Sequence, residues 1–353
     1  MTSGLRAALV GVVGAAALAF AGTALAAYTP HIVVSHAPLT AGSTGTTDLT
    51  ISFDQNDDAT LKVTIYVPEG YQAGLILGQV PGTEVGTVDA SVLAKLISPT
   101  QPLPLKGMIR TDDQTKYTAA ATRCTGVPTH EVVLLLALQA AGRELDVPLY
   151  VDPTAGAETA VGAFKLQACL PSPDIPEAAG GAAFGSKLIS ATLHFKSSVF
   201  TLPTQNGSYG WTVVATPYVS GTATPNPAGT VQARAFVQLP AQLTLKAKVK
   251  KKTATLSGAL KVNLAGLAGM KVTLLSGSSR TKLKAAGSAT TRAGGAFSFR
   301  KTVRNATYFR VRVSVPVRAA TCTGGVPGIP CAGATANAFT AQSAVVKVTP
   351  KKR

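Results

Sequence analysis

Tyr308-Phe309-Arg310-Val311-Arg312-Val313-Ser314-Val315 alternates apolar and polar side chains without a break. Successive side chains of a strand point to opposite faces. This run therefore sets Phe309, Val311, Val313 and Val315 on one face and Arg310 and Arg312 on the other. A helix would return its apolar positions every three or four residues instead. The pattern repeats nearby at intervals of a dozen residues or more. Leu243, Leu245, Ala247 and Val249 alternate with Thr244, Lys246, Lys248 and Lys250. Met270, Val272 and Leu274 alternate with Lys271 and Thr273, and Phe297 and Phe299 follow the turn Arg292-Ala293-Gly294-Gly295. Val345, Val346 and Val348 supply a last strand. Two-faced strands at this spacing predict an antiparallel β-sandwich over 241–353 with Leu245, Val272, Phe297, Phe299, Val311 and Val313 inside.

Three of these pieces carry a resemblance: Gly269-Met270-Lys271-Val272-Thr273-Leu274, then Thr290-Thr291-Arg292-Ala293-Gly294-Gly295-Ala296-Phe297-Ser298-Phe299, then Tyr308-Phe309-Arg310-Val311. They resemble the Ig-like, or carboxypeptidase-regulatory-like, sandwich modules common in exported proteins of high-GC Gram-positive bacteria. Such modules usually have Asp or Asn in the turn before the Phe strand, where this chain has Thr291. Trp211 to Pro217, with Gly221 to Asn226 and Ala228 to Val231, is similar to a recurrent segment of uncharacterised exported proteins from the same bacteria. The resemblance implies an exported β protein and brings no catalytic residue with it.

Residues 28–240 alternate as well. Leu49, Ile51 and Phe53, then Leu61, Val63, Ile65 and Val67, flank the polar stretch Asp54 to Thr60 and read as a hairpin. Val132 to Leu138 and Leu145 to Val151 flank Ala141-Gly142, and the first of these apolar runs reads as a strand or a buried helix. Ile189 to Phe195, Trp211 to Ala215 and Val231 to Val237 are further two-faced runs, with Trp211 on a core side. Asp89 to Ile97 is expected to form one short helix capped by Asp89. The Pro/Gly/Ala-rich stretch 171–185 is a long loop or a linker. The predicted fold class is therefore all-β, with two antiparallel sandwich domains, 28–240 and 241–353, or three if 171–185 divides the first.

A signal peptide is expected over 1–27. Arg6 precedes the apolar run Ala7 to Ala21, and Ala24-Leu25-Ala26 gives a small-residue cleavage pattern. The run is short for an uncleaved anchor, and no later segment is long and apolar enough to span a bilayer as a helix. Cys124, Cys169, Cys322 and Cys331 are an even count in an exported chain, and their spacing favours two disulfides, Cys124–Cys169 and Cys322–Cys331.

Charge is divided along the chain. All 16 acidic residues lie between Asp48 and Glu177. Residues 28–240 carry 11 Lys/Arg, a net of −5, whereas 241–353 carries 21 Lys/Arg and no acid. Self-repulsion of that size calls for a polyanionic neighbour or for a role in solubility. The candidate polyanion-binding residues are Lys246, Lys248, Lys250, Arg300, Arg310 and Arg312. Lysines on an edge strand also discourage aggregation, but that accounts for one strand and not for the arginines. No helix or aromatic-bearing motif accompanies the charge, which argues against sequence-specific nucleic-acid recognition.

His194 is the last histidine, so 241–353 has no His, Asp or Glu for acid–base catalysis, a Ser-His-Asp triad or a carboxylate metal site. His31, His36, His130 and His194 are the candidates in the first part, each read as packed or solvated. No GxSxG, HExxH, P-loop or GxGxxG-after-strand arrangement occurs, and nothing calls for a cofactor. Asp54, Asn56 and Asp58 mimic the start of an EF-hand loop, but Ala59 replaces its Gly and Ile65 its bidentate Glu, leaving at most a looser Ca²⁺ site. The resulting expectation is an exported, non-catalytic envelope protein whose cationic part meets anionic wall polymer. The alternatives are a secreted enzyme with its site in 28–240 and an adhesion or surface-layer component.

Overall fold

The computed structural model describes residues 28–73, 80–140, 142–239, 242–262 and 264–350. The expected signal peptide lies outside them. The described chain is almost entirely β, with antiparallel pairing throughout except for one ladder.

Residues 31–239 build a sheet whose strands run in the spatial order His31–Ala37, Thr46–Ser52, Ser186–Phe195, Glu84–Ala94, Ser98–Asp112, Val132–Ala140, Arg143–Pro153, Phe164–Cys169, Thr60–Val67, Gly207–Pro217 and Val231–Leu239. The sheet curls until His31–Ala37 packs against Val231–Leu239. Its inner face encloses one core, with Val34, Leu49, Ile109, Leu134, Trp211 and Val213 fully buried. At one end of this core Trp211 meets Tyr71 edge-on at 5.2 Å and Phe200 at 5.6 Å between ring centroids.

Two expectations for this part are corrected. Asp89 to Ile97 is not a helix. Asp89 sits in the middle of strand Glu84–Ala94, which finds ladder partners on both sides, Ser98–Asp112 and Ser186–Phe195. Two flanking ladders outweigh the modest helix preference of the segment. The runs around Asp54 to Thr60 are both strands but not a hairpin. Thr46–Ser52 pairs with His31–Ala37 and Ser186–Phe195, whereas Thr60–Val67 pairs with Phe164–Cys169 and Gly207–Pro217. The apolar run from Val132 is a strand, paired across its turn with Arg143–Pro153. The stretch 171–185 holds two short 3₁₀ turns, and the strands before and after it belong to the same sheet around the same core.

The second core lies between two five-stranded sheets. One contains Gln242–Leu243, Lys246–Lys250, Thr253–Val262, Ala265–Gly266 and Ala296–Thr302. The other contains Lys271–Gly277, Lys284–Thr290, Thr307–Val315, Phe339–Gln342 and Val346–Val348. Leu245, Val272, Phe297, Phe299, Val311 and Val313 are all buried in it. Thr291 closes the turn before the Phe strand. Its hydroxyl donates to the Leu267 carbonyl at 2.7 Å and accepts from the Met270 amide at 2.9 Å, closing the turn without a carboxylate. Gly295 follows at φ 73°, and a Cβ there would lie 2.0 Å from the Leu260 carbonyl oxygen, so no other residue fits.

Between Val315 and Phe339 the chain leaves the second core. Cys331–Ala336 runs parallel to Val231–Leu239 and extends the curled sheet, and Arg318–Ala319 adds the outermost strand. The first sheet therefore has thirteen strands. Gln232 fixes the crossing, donating to the Val326 and Ile329 carbonyls at 3.0 and 2.6 Å and accepting from the Val326 amide at 2.8 Å.

Candidate functional site

The six basic candidates divide into two sets. Lys246, Lys248 and Lys250 are exposed and alternate with half-buried Ala247 and Val249 on strand Lys246–Lys250. Lys248 stands opposite Thr255, and Thr255 opposite Arg300, so the register draws one row across three adjacent strands. The row lies on the outer side, because Ala254, Leu256, Phe297 and Phe299 face the core. Arg310 and Arg312 belong to the other sheet. Val311 and Val313 beside them face the core, so the arginines point away from it. Arg310 reaches Gln342 at 3.0 Å. Two sheets sharing one core have outward faces on opposite sides, so the candidates form two basic faces and not one patch. Among the described residues every ion pair lies between Asp48 and Lys196, and none involves these six.

The acidic turn is occupied by its own backbone. Asp54 accepts from the Asn56 amide at 2.8 Å. Asp57, between Asn56 and Asp58, is buried. It accepts from the Thr29 amide at 2.9 Å, from the Thr29 hydroxyl at 3.2 Å and from the Asp54 amide at 3.2 Å. Asp54, Asn56 and Asp58 thus frame a turn organised around Asp57. Among the described residues no group of three or more His, Cys, Asp or Glu is arranged to hold a metal.

The histidines have distinct surroundings. His31 is exposed. His194 stands on the outer face of the curled sheet between two carboxylates, Asp48 at 2.8 Å and Asp89 at 3.4 Å. His130 is buried and sits between Asp152, 2.6 Å from Nδ1, and the Thr125 hydroxyl, 3.0 Å from Nε2. Sequence spacing gave no sign of this hydroxyl–imidazole–carboxylate chain, because Asp152 comes from the neighbouring strand. It resembles a nucleophilic triad in connectivity. Its exposure does not fit one: the His130 side chain is 1% exposed. The Thr125 hydroxyl also lies within hydrogen-bonding distance of the Ala121 carbonyl, at 2.9 Å, and of the Val127 amide, at 3.2 Å. With the Tyr150 ring tilted against the imidazole at 4.6 Å between centroids, the chain ties helix Thr118–Thr125 to the sheet.

His36 is held by the Thr47 hydroxyl at 2.9 Å and the Tyr71 hydroxyl at 3.0 Å, beside Trp211. Burial pushes its pKa down to about 4. A histidine whose folded pKa lies below its unfolded value of 6.5 stabilises the fold fully above pH 6.5. That contribution is lost as pH falls from 6.5 towards 4. The loss is at most about 3 kcal/mol. Urea unfolding at pH 7.5 and pH 5 should show a larger drop for the native chain than for His36→Asn, and equal drops would refute this assignment.

Both cysteine pairs are bridged, Cys124–Cys169 across 45 residues and Cys322–Cys331 across 9. Two disulfides place the folded protein in an oxidising environment. No helix among the described residues is long and apolar enough to cross a membrane. The sequence matches no protein-family model, and no curated protein is similar to it.

Proposed function

We propose that this is an exported, non-catalytic protein of the cell envelope, held against anionic wall polymer by the outer faces of its cationic sandwich. One observation carries the reading: the row through Lys248 and Arg300, flanked by Lys246 and Lys250, in a segment with no carboxylate of its own. Such a face binds by charge, not shape. Each contact with a polyanion releases counterions, so affinity falls smoothly as salt rises. At physiological ionic strength screening acts over about 8 Å, which restricts the attraction to groups near the polymer. The enzyme reading has less support, because in the Thr125–His130–Asp152 chain the imidazole is buried and the hydroxyl is engaged with backbone groups of its own helix end.

The test uses the whole chain without residues 1–27, applied to immobilised anionic wall polymer and to heparin from low to molar salt. Retention should decline steadily with salt. Lys248→Glu with Arg300→Glu should reduce the salt slope by roughly 1 per lost contact and leave the fold intact. Binding that persists at molar salt, or that is absent at low salt, would overturn the proposal.

A further inference from the structure

The core of the curled sheet is underfilled along one line. An inner chamber of about 80 Å³ is lined only by apolar side chains. It shares Ala90, Leu138, Val147, Leu170 and Leu188 with a second chamber of about 170 Å³. That chamber shares Val92, Leu105, Leu145 and Ser186 with a third of about 310 Å³. The chambers follow the inward positions of strands Glu84–Ala94, Ser98–Asp112, Val132–Ala140 and Arg143–Pro153. Small residues at inward positions, Ala90 and Ala191 among them, leave the space that larger ones would fill.

The outer chamber opens beside the tight turn Lys95-Leu96-Ile97, which joins two strands through the Ala94–Ser98 pair. Here the surface is unusually apolar: Leu96 is 81% exposed and Ile97 50%. Phe184, which also lines this opening, takes φ 55° and ψ 18°, the left-handed region that costs a non-glycine residue energy and is held only where its surroundings demand it. Its carbonyl accepts from the Leu96 amide at 3.2 Å, clamping segment 171–185 to the turn. The middle chamber carries the polar groups of Thr60, Asp146, Ser186 and Lys187, and the outer one those of Gln139 and Ser186.

We propose that this channel binds one linear acyl chain of a single-chain amphiphile, tail inward and head at the Ile97–Phe184 mouth. The inner chamber, without polar lining, does not hold water well but takes apolar ligands. The narrow, serial chambers suit a flexible chain and not a rigid ring. The exposed apolar rim gives the chain a path inward from a lipid or micellar phase, and Gln139 and Ser186 in the outer chamber leave the head hydrated. This site lies in the first core and does not depend on the cationic faces.

Calorimetric titration of the full mature chain with fatty acids from hexanoate to hexadecanoate, and with monoacylglycerols of matching length, tests it. Each added methylene should tighten binding about fourfold until the channel is full. The slope should be the same in both series, with the head group shifting only the offset. Ala90→Leu narrows the waist between the inner chambers and should weaken binding of long chains at least tenfold, leaving short ones little changed. Affinity independent of chain length, or absent in both series, would overturn the proposal whether or not the variant folds. So would a folded Ala90→Leu protein that binds long chains as the native one does.

Discussion

Trp211→Ala should destabilise the protein by about 3–5 kcal/mol, the upper range for deleting a buried aromatic. Trp211 is fully buried and joins Tyr71, Phe200 and His36 where the curled sheet closes on itself. Its strand, Gly207–Pro217, has ladders on both sides, so the backbone cannot easily collapse into the space left behind. The indole N–H lies near the Tyr71 hydroxyl but makes no well-formed hydrogen bond, so a phenyl ring in its place gives up little polar interaction. Trp211→Phe should therefore cost less than about 2 kcal/mol. Trp211 is the only tryptophan, so unfolding must be followed by circular dichroism and not by its fluorescence. Equal losses for the two variants would show that the site is held by something other than ring packing.

Removing the Cys124–Cys169 bridge by a double alanine substitution should cost about 4 kcal/mol in the loop-entropy argument, and removing Cys322–Cys331 under about 3, because the second loop is shorter. The first bridge also fastens helix Thr118–Thr125 over Val133 and Tyr150, where Ala121 and Cys124 complete a small outer core. Lys62 donates to the Cys124 carbonyl at 3.1 Å and reinforces the same junction. Urea midpoints of the two double variants decide the matter. A smaller loss at Cys124–Cys169 than at Cys322–Cys331 would mean that the helix is held by its other contacts.

Alternation told which face of each strand meets a core, and residues 307–315 show how far that goes: Val311 and Val313 are inside, Arg310 and Arg312 outside. It could not tell which strands are neighbours. The runs ending at Phe53 and starting at Leu61 looked like two arms of a hairpin because they are close in sequence, yet each has other partners. Asp89 to Ile97 offered a plausible cap and no strict period, and only the flanking ladders made it a strand. The basic residues were visible, but their division into two faces depends on Arg300 and Arg310 lying in different sheets. Segment 316–337 is rich in Gly, Ala, Thr and Pro and has no period to read. The channel leaves no mark either, since an inward alanine looks the same in sequence whether or not its neighbours fill the space. Asp152 beside His130 likewise follows from register alone.

The parallel strand Cys331–Ala336 has a consequence for how this architecture can change over generations. A sandwich joined to its neighbour by one linker can be copied, moved or swapped as a cassette with a single cut. This one cannot, because its chain passes from the second core into the first sheet and back before it is finished. Splicing out everything beyond Leu239 would strip the cover from Gln232 and bare a long sheet edge, an invitation to association with other chains. The two bodies are thus bound to be inherited together, and the cationic faces and the apolar channel with them.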